Sequence, residues 1–364
     1  MIAVAIAGAV FVAIILWDAF EAMILPRRVT RRLRPTRLFY RSTWWLWSRL
    51  AGSLRGGRRE TYLSFYGPLS LLLLFSTWAA SLIVGFGMLQ WGAGAHLAVP
   101  SGTAGFGTTL YVSGTTFFTL GLGDVTPLDR VARALMVAEA GIGFGFLAVL
   151  ISYLPILYQS FSRREVNITL LDARAGSPPS AIELLRRHGG DLDALTRLLH
   201  DWERWCAELL ESHLSYPVLS FFRSQHDNQS WLAAVTTILD TSALVMVGTE
   251  GAPARQAHLT FAIARHAVVD LAQVLRTPPR SPHPERLAGA TVSLLGEALT
   301  GTGVRLAPDD GVVAKLSALR QMYEPYVNAL AGHLLMALPA WGGTTDPHDN
   351  WKASAWERSA DPMT

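Results

Sequence analysis

Between Ser113 and Pro127 the chain reads Ser-Gly-Thr-Thr-Phe-Phe-Thr-Leu-Gly-Leu-Gly-Asp-Val-Thr-Pro. Two glycines two residues apart, with a threonine before and an aspartate after, are the residue types that let a backbone act as a ligand. A monovalent cation stripped of its water needs a stack of oxygens of similar field strength, and main-chain carbonyls supply one. Pointing successive carbonyls at one axis requires the backbone to alternate between left- and right-handed conformations, which Gly121 and Gly123 permit at low cost. Thr119, Leu120, Gly121, Leu122 and Gly123 are therefore the candidate ion ligands, with the Thr119 hydroxyl at the inner end of the stack. Asp124 adds negative charge at the outer mouth. A short helix is expected just before them, over Thr108 to Phe118, its negative C-terminal end aimed at a central cavity. Ser113 and Thr116 lie on that helix as supports.

Other polar residues sit where polarity is costly. Glu139 lies six residues into an otherwise uncharged apolar segment, where a carboxylate costs about 2.5–3.5 kcal/mol and must face protein or water. Two readings are open: a protonated buttress behind the ligand loop, conferring pH sensitivity, or a carboxylate near the outer interface paired with Arg133 or Arg130. Asp18 and Glu21 are expected to pair with Arg27 and Arg28. Pro155 removes a helix hydrogen bond and either shapes a cytoplasmic gate or is a tolerated membrane-helix proline. Histidine and carboxylate groups also cluster at His200, Asp201 and Glu203, at Glu211 and His213, at His226 and Asp227, and at His266 and Asp270. None has a metal-ligand spacing, so no structural metal is expected. Neither an activated nucleophile nor a phosphate-binding loop is found, so the chain does not read as an enzyme.

The elements that position these residues follow from charge and hydropathy. Half of the 364 residues are hydrophobic, 16% are charged and the mean hydropathy is positive, against about 25% charged in an ordinary soluble domain. One cysteine, Cys206, excludes a disulfide framework. Eleven arginines and no acid lie between Pro26 and Arg59, so the high pI belongs to one belt; that argues against a nucleic-acid binder. From Thr61 to Gly123 there is no Asp, Glu, Lys or Arg. One crossing of about 20 residues fits there, at Leu69 to Leu89. The Gly/Ser/Thr-rich remainder reads as a re-entrant loop, which lies at membrane depth only when lined by protein or water. Met1 to Leu25 and Ala134 to Phe161 supply two further spans. Met1 to Leu25 has no basic n-region or small-residue cleavage site, so it reads as a retained helix and not as a signal peptide. The arginine belt places the loop between the first two spans in the cytoplasm, which puts the N-terminus outside and the C-terminus inside. Trp44, Trp45 and Trp47 interleave with Arg37, Arg41 and Arg49, as in an interfacial helix binding anionic membrane lipids. The alternative is a voltage sensor, since Arg28, Arg31, Arg34 and Arg37 recur every third residue, but Pro26 and Pro35 interrupt such a helix.

The ligand segment has the pattern S-x-x-T-x-x-T-x-G-x-G-D with a proline three residues on, and so resembles the pore signature of potassium channels, in particular the bacterial channels with a single pore loop per subunit. The likeness covers about residues 61 to 160. It implies that K⁺ is the permeant ion at Thr119 to Gly123 and that the pore is a homotetramer, since one loop supplies a quarter of a filter. It also implies that the inner helix bends at Gly141 or Gly143, Gly143 being nineteen residues after Asp124. The family usually has Val and Tyr where this chain has Leu120 and Leu122, so the aromatic cuff behind the filter is missing. Leucine at the second of these positions also occurs in some two-pore-domain potassium channels.

From about Val166 the composition turns soluble and helical. Ser180 and Glu183 form a capping box, and helices are predicted over Asp191–Leu214, Gln229–Val247, Ala254–Arg276, Glu285–Thr300 and Asp309–Leu338, with a Pro-rich linker at Thr277–Pro284. No dinucleotide or cyclic-nucleotide fold is evident, which leaves room for an unidentified cytoplasmic regulator. The expected fold is an all-α membrane protein of three transmembrane helices with a re-entrant pore helix and filter, plus an all-α cytoplasmic domain. Its divisions are an N-terminal span (1–25), an Arg/Trp-rich interfacial segment (26–60), a pore domain (61–162), a helical cytoplasmic domain (163–338) and a disordered tail (339–364). The expected function is a K⁺ channel of a bacterial inner membrane, needing no cofactor and gated through the cytoplasmic domain. The alternatives are a non-conducting membrane-anchored sensor or adaptor, and a weakly selective cation pore.

Overall fold

The computed structural model describes residues 1–25, 34–100, 102–226, 228–281, 286–287, 291–306 and 310–341. The protein is mostly helical, and its contacts divide it into two units: residues 1–54 with 65–159, and residues 55–64 with 160–364.

The first unit is built on α1 (Ile2–Met23) and α4 (Tyr66–Gly92), which pack along much of their length. Glycines set their spacing: a Cβ on Gly92 would lie 2.2 Å from the Ala5 nitrogen, and one on Gly8 would lie 2.7 Å from the Gly85 carbonyl. Small residues at a membrane helix crossing let backbones approach this closely. The amphipathic α2 (Pro35–Ala51) begins at a proline whose missing N–H is no loss in a first turn. Its start is capped from another helix, because Asp18 of α1 accepts from both the backbone N–H (3.0 Å) and the hydroxyl of Thr36, and from Trp78 Nε1 of α4 (3.1 Å). Arg34 pairs with Glu21 (3.3 Å) and approaches Asp18 (3.7 Å). Arg34 is thus a described partner of these acids; the expected partners Arg27 and Arg28 lie outside the described residues. On the buried side of α2, Trp44 packs edge-on against Tyr66, with ring centroids 4.7 Å apart. Leu38, Trp45, Leu46 and Leu50 are exposed, and Arg49 stacks over Trp45 at 3.9 Å.

A short α5 (Phe106–Phe117) and a two-stranded antiparallel ribbon, β1 (Leu97–Ala98) with β2 (Thr126–Pro127), complete this unit together with the first part of α6 (Arg130–Ala175). The last span is expected to end near Phe161, with a new domain from 163. α6 runs on as helix through Pro155 and Arg163 for 46 residues, while the contacts divide the chain between residues 159 and 160. Charge density changes at Arg163, but helix propensity does not, so composition marks a change of surroundings and not the end of a helix.

The second unit packs α7 (Ala181–Arg187), α8 (Leu192–Ser215), α10 (Ala252–Val274), α12 (Asp310–Gln321) and α13 (Glu324–Leu334) around α9 (Trp231–Gly248), with α3 (Gly57–Ser64) and α11 (Thr291–Ala298) also assigned to it. The apolar face predicted for α8 is buried at Leu195, Leu198, Leu199, Trp202, Trp205, Cys206 and Leu209. Among the described residues four helices are long and apolar enough to cross a membrane: α1, the α3–α4 stretch, α6 and α9, and 83% of the last is buried.

Three expectations need correction here. The helix predicted over Asp309–Leu338 is two helices, because Pro325 lacks a backbone donor and opens a new first turn at α13. The Ser180 hydroxyl does accept from the Glu183 N–H, but the Glu183 carboxylate turns to Arg186 and Arg187, so the reciprocal half of the box is replaced by ion pairs. The tail from Pro339 begins ordered. The Pro339 carbonyl accepts from Arg286, and Trp341 is buried with its indole donating to Glu324 (3.2 Å) between Arg286 and Arg320. Asp240, Arg286, Tyr323, Glu324 and Arg320 close that buried network. Residues 342–364 and His226's partner Asp227 lie outside the described residues.

Candidate functional site

The candidate ligands lie in the loop between α5 and α6. Gly105 caps α5 with its amide on Thr108 Oγ1. At the other end the chain leaves the helix through Thr119 N–H to the Thr116 carbonyl (3.0 Å) and Leu120 N–H to the Thr115 carbonyl (2.8 Å). Thr116 therefore anchors the first ligand by its main chain. Beyond this point the sign of φ alternates: Thr119 (+56°), Gly121 (+57°) and Gly123 (+77°) are left-handed, while Leu120 and Leu122 between them are not. Two of these positions suit glycine. Thr119 does not, because a β-branched residue rarely takes that conformation, and strain of this kind is characteristic of functional sites. Inverting every second residue is what carbonyl alignment requires. Leu120 and Leu122 are 61% and 63% exposed in the single chain.

The loop is fixed at both ends. Asp124 accepts from Tyr111 of α5 (2.8 Å). Past it, Leu97 pairs with Pro127 and Ala98 with Thr126. Asp129 caps α6 by accepting from the Ala132 amide (2.8 Å) and takes the His96 amide on its other oxygen (2.7 Å). These two backbone donors hold its carboxyl down at about 2.

Behind α5 lies the buried Glu139. It accepts from Gln90 Nε2 of α4 (2.8 Å) and bonds the Ser113 hydroxyl of α5, which also reaches the Ile83 carbonyl (2.7 Å). Among the described residues Glu139 makes no ion pair to Arg130 or Arg133, and Arg133 reaches the Pro127 carbonyl; the contacts of Glu139 are to α4 and α5. Gly143 is also pressed against the pore helix: a Cβ there would stand 2.1 Å from the Phe117 carbonyl oxygen. Gly143 is thus a contact residue of α6, whereas a Cβ on Gly141 would meet nothing of its own chain within 4 Å. α6 is helical through Gly141, Gly143 and Pro155.

Sequence reasoning missed Gln90, Tyr111 and the His96–Asp129 contact. Gln90 carried a signal, since it is the one amide side chain of α4; the others depend on contacts between separate loops and helices.

Residues 71–160 match a family model described as an ion channel. This segment runs from α4 through α5 and the ligand loop into α6, and supports an ion-channel pore-loop domain in a membrane protein. The chain is also 24% identical over 209 residues to the Uncharacterized membrane protein YdjJ of Bacillus subtilis (strain 168), covering 56% of this chain and 60% of that relative. No solved structure matches.

Proposed function

We propose that the protein is a homotetrameric potassium channel of a bacterial inner membrane, with Thr119 to Gly123 coordinating dehydrated K⁺ through main-chain oxygens. The observation that carries this is the alternation of φ at Thr119, Gly121 and Gly123, in a loop pinned between two apolar helices within a segment that matches an ion-channel family model. K⁺ is the transported ion, and no cofactor is required.

Four copies are needed because one loop lines only part of a filter. Exposed Val137, Phe144 and Ile151 recur every seven residues on α6, the periodicity of a helix–helix seam. In this assignment α1, α4 and α6 cross the bilayer and α5 is re-entrant. The apolar α9 does not cross, being enclosed by its own unit and carrying Asp240, which is paired with Arg286. The arginine belt lies inside, with α2 at the lipid headgroups through its arginines and exposed Trp45. Gating would pass along α6, whose last turns belong to the helical cytoplasmic unit. Leu122 in place of an aromatic residue favours one second possibility, a cation pore that selects weakly.

The test is paired: light scattering of the detergent-solubilised chain for four copies, and valinomycin-controlled K⁺ flux from vesicles. A mass of four chains with flux abolished by Gly121→Asp supports the proposal. A monomer without flux leaves the sensor or adaptor.

A further inference from the structure

The hydrogen bonds around Glu139 can be counted. Ser113 Oγ lies 2.7 Å from the Ile83 carbonyl and also bonds Glu139 Oε1, while Gln90 Nε2 lies 2.8 Å from Glu139 Oε2. A serine hydroxyl has one proton to donate, and a carbonyl only accepts. Three contacts need three donors: the Ser113 O–H serves Ile83 and a Gln90 N–H serves Oε2. The remaining contact, between two oxygens, has a donor only when the carboxyl carries a proton.

We infer that Glu139 is a proton-binding site. It is a neutral carboxylic acid that donates through Oε1 to Ser113 Oγ, and this frees the Ser113 proton to tie α5 to α4 at Ile83. The surroundings agree. Glu139 is fully buried, and an isolated charge in such a place is very costly. The ionisable side chains of α4 and α5 are Tyr66 and Tyr111, bonded to Thr43 and to Asp124. On α6 itself, Arg133 reaches the Pro127 carbonyl and Arg130 is exposed at the helix start. On α1, Asp18 and Glu21 are held by Thr36, Trp78, Trp17 and Arg34. Loss of the proton would draw the Ser113 hydroxyl to the carboxylate and break its bond to Ile83. The consequence for conduction rests on the channel function proposed above; the proton itself does not.

The experiment is infrared difference spectroscopy on the full chain in lipid vesicles at neutral pH, reading the C=O stretch of a protonated carboxylic acid. Glu139→Gln should remove one such band, and Ser113→Ala should shift it to higher frequency because its acceptor is gone. A wild-type spectrum identical in this region to Glu139→Gln, or a band unmoved by Ser113→Ala, overturns the inference. Glutamine reproduces the donor and acceptor of the neutral acid without a proton to lose. The variant should also lose any response to raised pH that wild type has. A band without flux in the wild type would keep the proton site and sink the channel instead.

Discussion

Replacing Gly143 by alanine separates a packing role from a hinge. The added Cβ would stand 2.1 Å from the Phe117 oxygen, about 1.3 Å short of an ordinary 3.4 Å contact, with the Phe117 carbonyl carbon at 2.9 Å and its Cα at 3.0 Å. All three are backbone atoms, so no side chain can swing aside; α5 or α6 must move. Overpacking of this kind costs about 1–3 kcal/mol, a fall in Tm of about 2–4 °C per kcal/mol for a unit of this size. Phe117 is two residues before Thr119, so the displacement enters the ligand loop directly and should lower K⁺ flux as well. Gly141→Ala is the matched control: it meets nothing of its own chain and gains about 1 kcal/mol of helix propensity. Thermal unfolding in detergent and flux from vesicles would be measured on both. Equal Tm and equal flux for the two variants would refute the packing argument and return Gly143 to the role of a flexible joint.

Asp18→Ala removes the acceptor for Thr36 and Trp78 and leaves Arg34 with one acid; it should cost about 3–5 kcal/mol, read as a lower Tm and faster proteolysis of α2. Arg164 is buried in the second unit and donates to the Leu219 carbonyl, the Phe222 carbonyl and His213 Nε2, with Glu165 as its ion pair. Arg164→Ala should therefore destabilise that unit by about 3–5 kcal/mol, seen as faster cleavage at residues 217–222. Burial first, and then the Arg164 charge, hold the His213 imidazole well below its usual value. The unfolded chain thus binds a proton that the folded one refuses. Stability is complete above about pH 6.5 and falls below it by about 1.4 kcal/mol per pH unit. Urea unfolding between pH 7 and pH 5 checks this, and a flat profile would contradict it.

How much of this was legible in the sequence depends on whether the signal was local. Gly121 and Gly123 announced left-handed backbone by residue type, whereas the same conformation at Thr119 runs against its type and is imposed by the anchoring of α5. The apolar period of α8 predicted most of its buried face, although Leu210, also expected there, is half-buried and Ser212 and His213 are buried without belonging to the apolar pattern. Glu139 could be located as a buried acid but not assigned, because its partners Gln90 and Ser113 lie 49 and 26 residues away. Gly143 was marked as a hinge by the resemblance to potassium channels, and only the neighbouring Phe117 carbonyl reveals why a side chain is excluded there. The length of α6 was hidden because Arg163 and Arg164 signal a polar environment and equally good helix. Trp341 lay in a stretch whose Gly, Thr and Asp neighbours suggest disorder, and a pair of buried arginines holds it.

Thr119 to Gly123 are proposed to select potassium. The most direct measurement is the reversal potential of the purified protein in a planar bilayer with K⁺ on one side and Na⁺ on the other. The account predicts a potential strongly directed to the K⁺ equilibrium. A clear current reversing near zero would contradict it and identify a pore that conducts without choosing between the two ions.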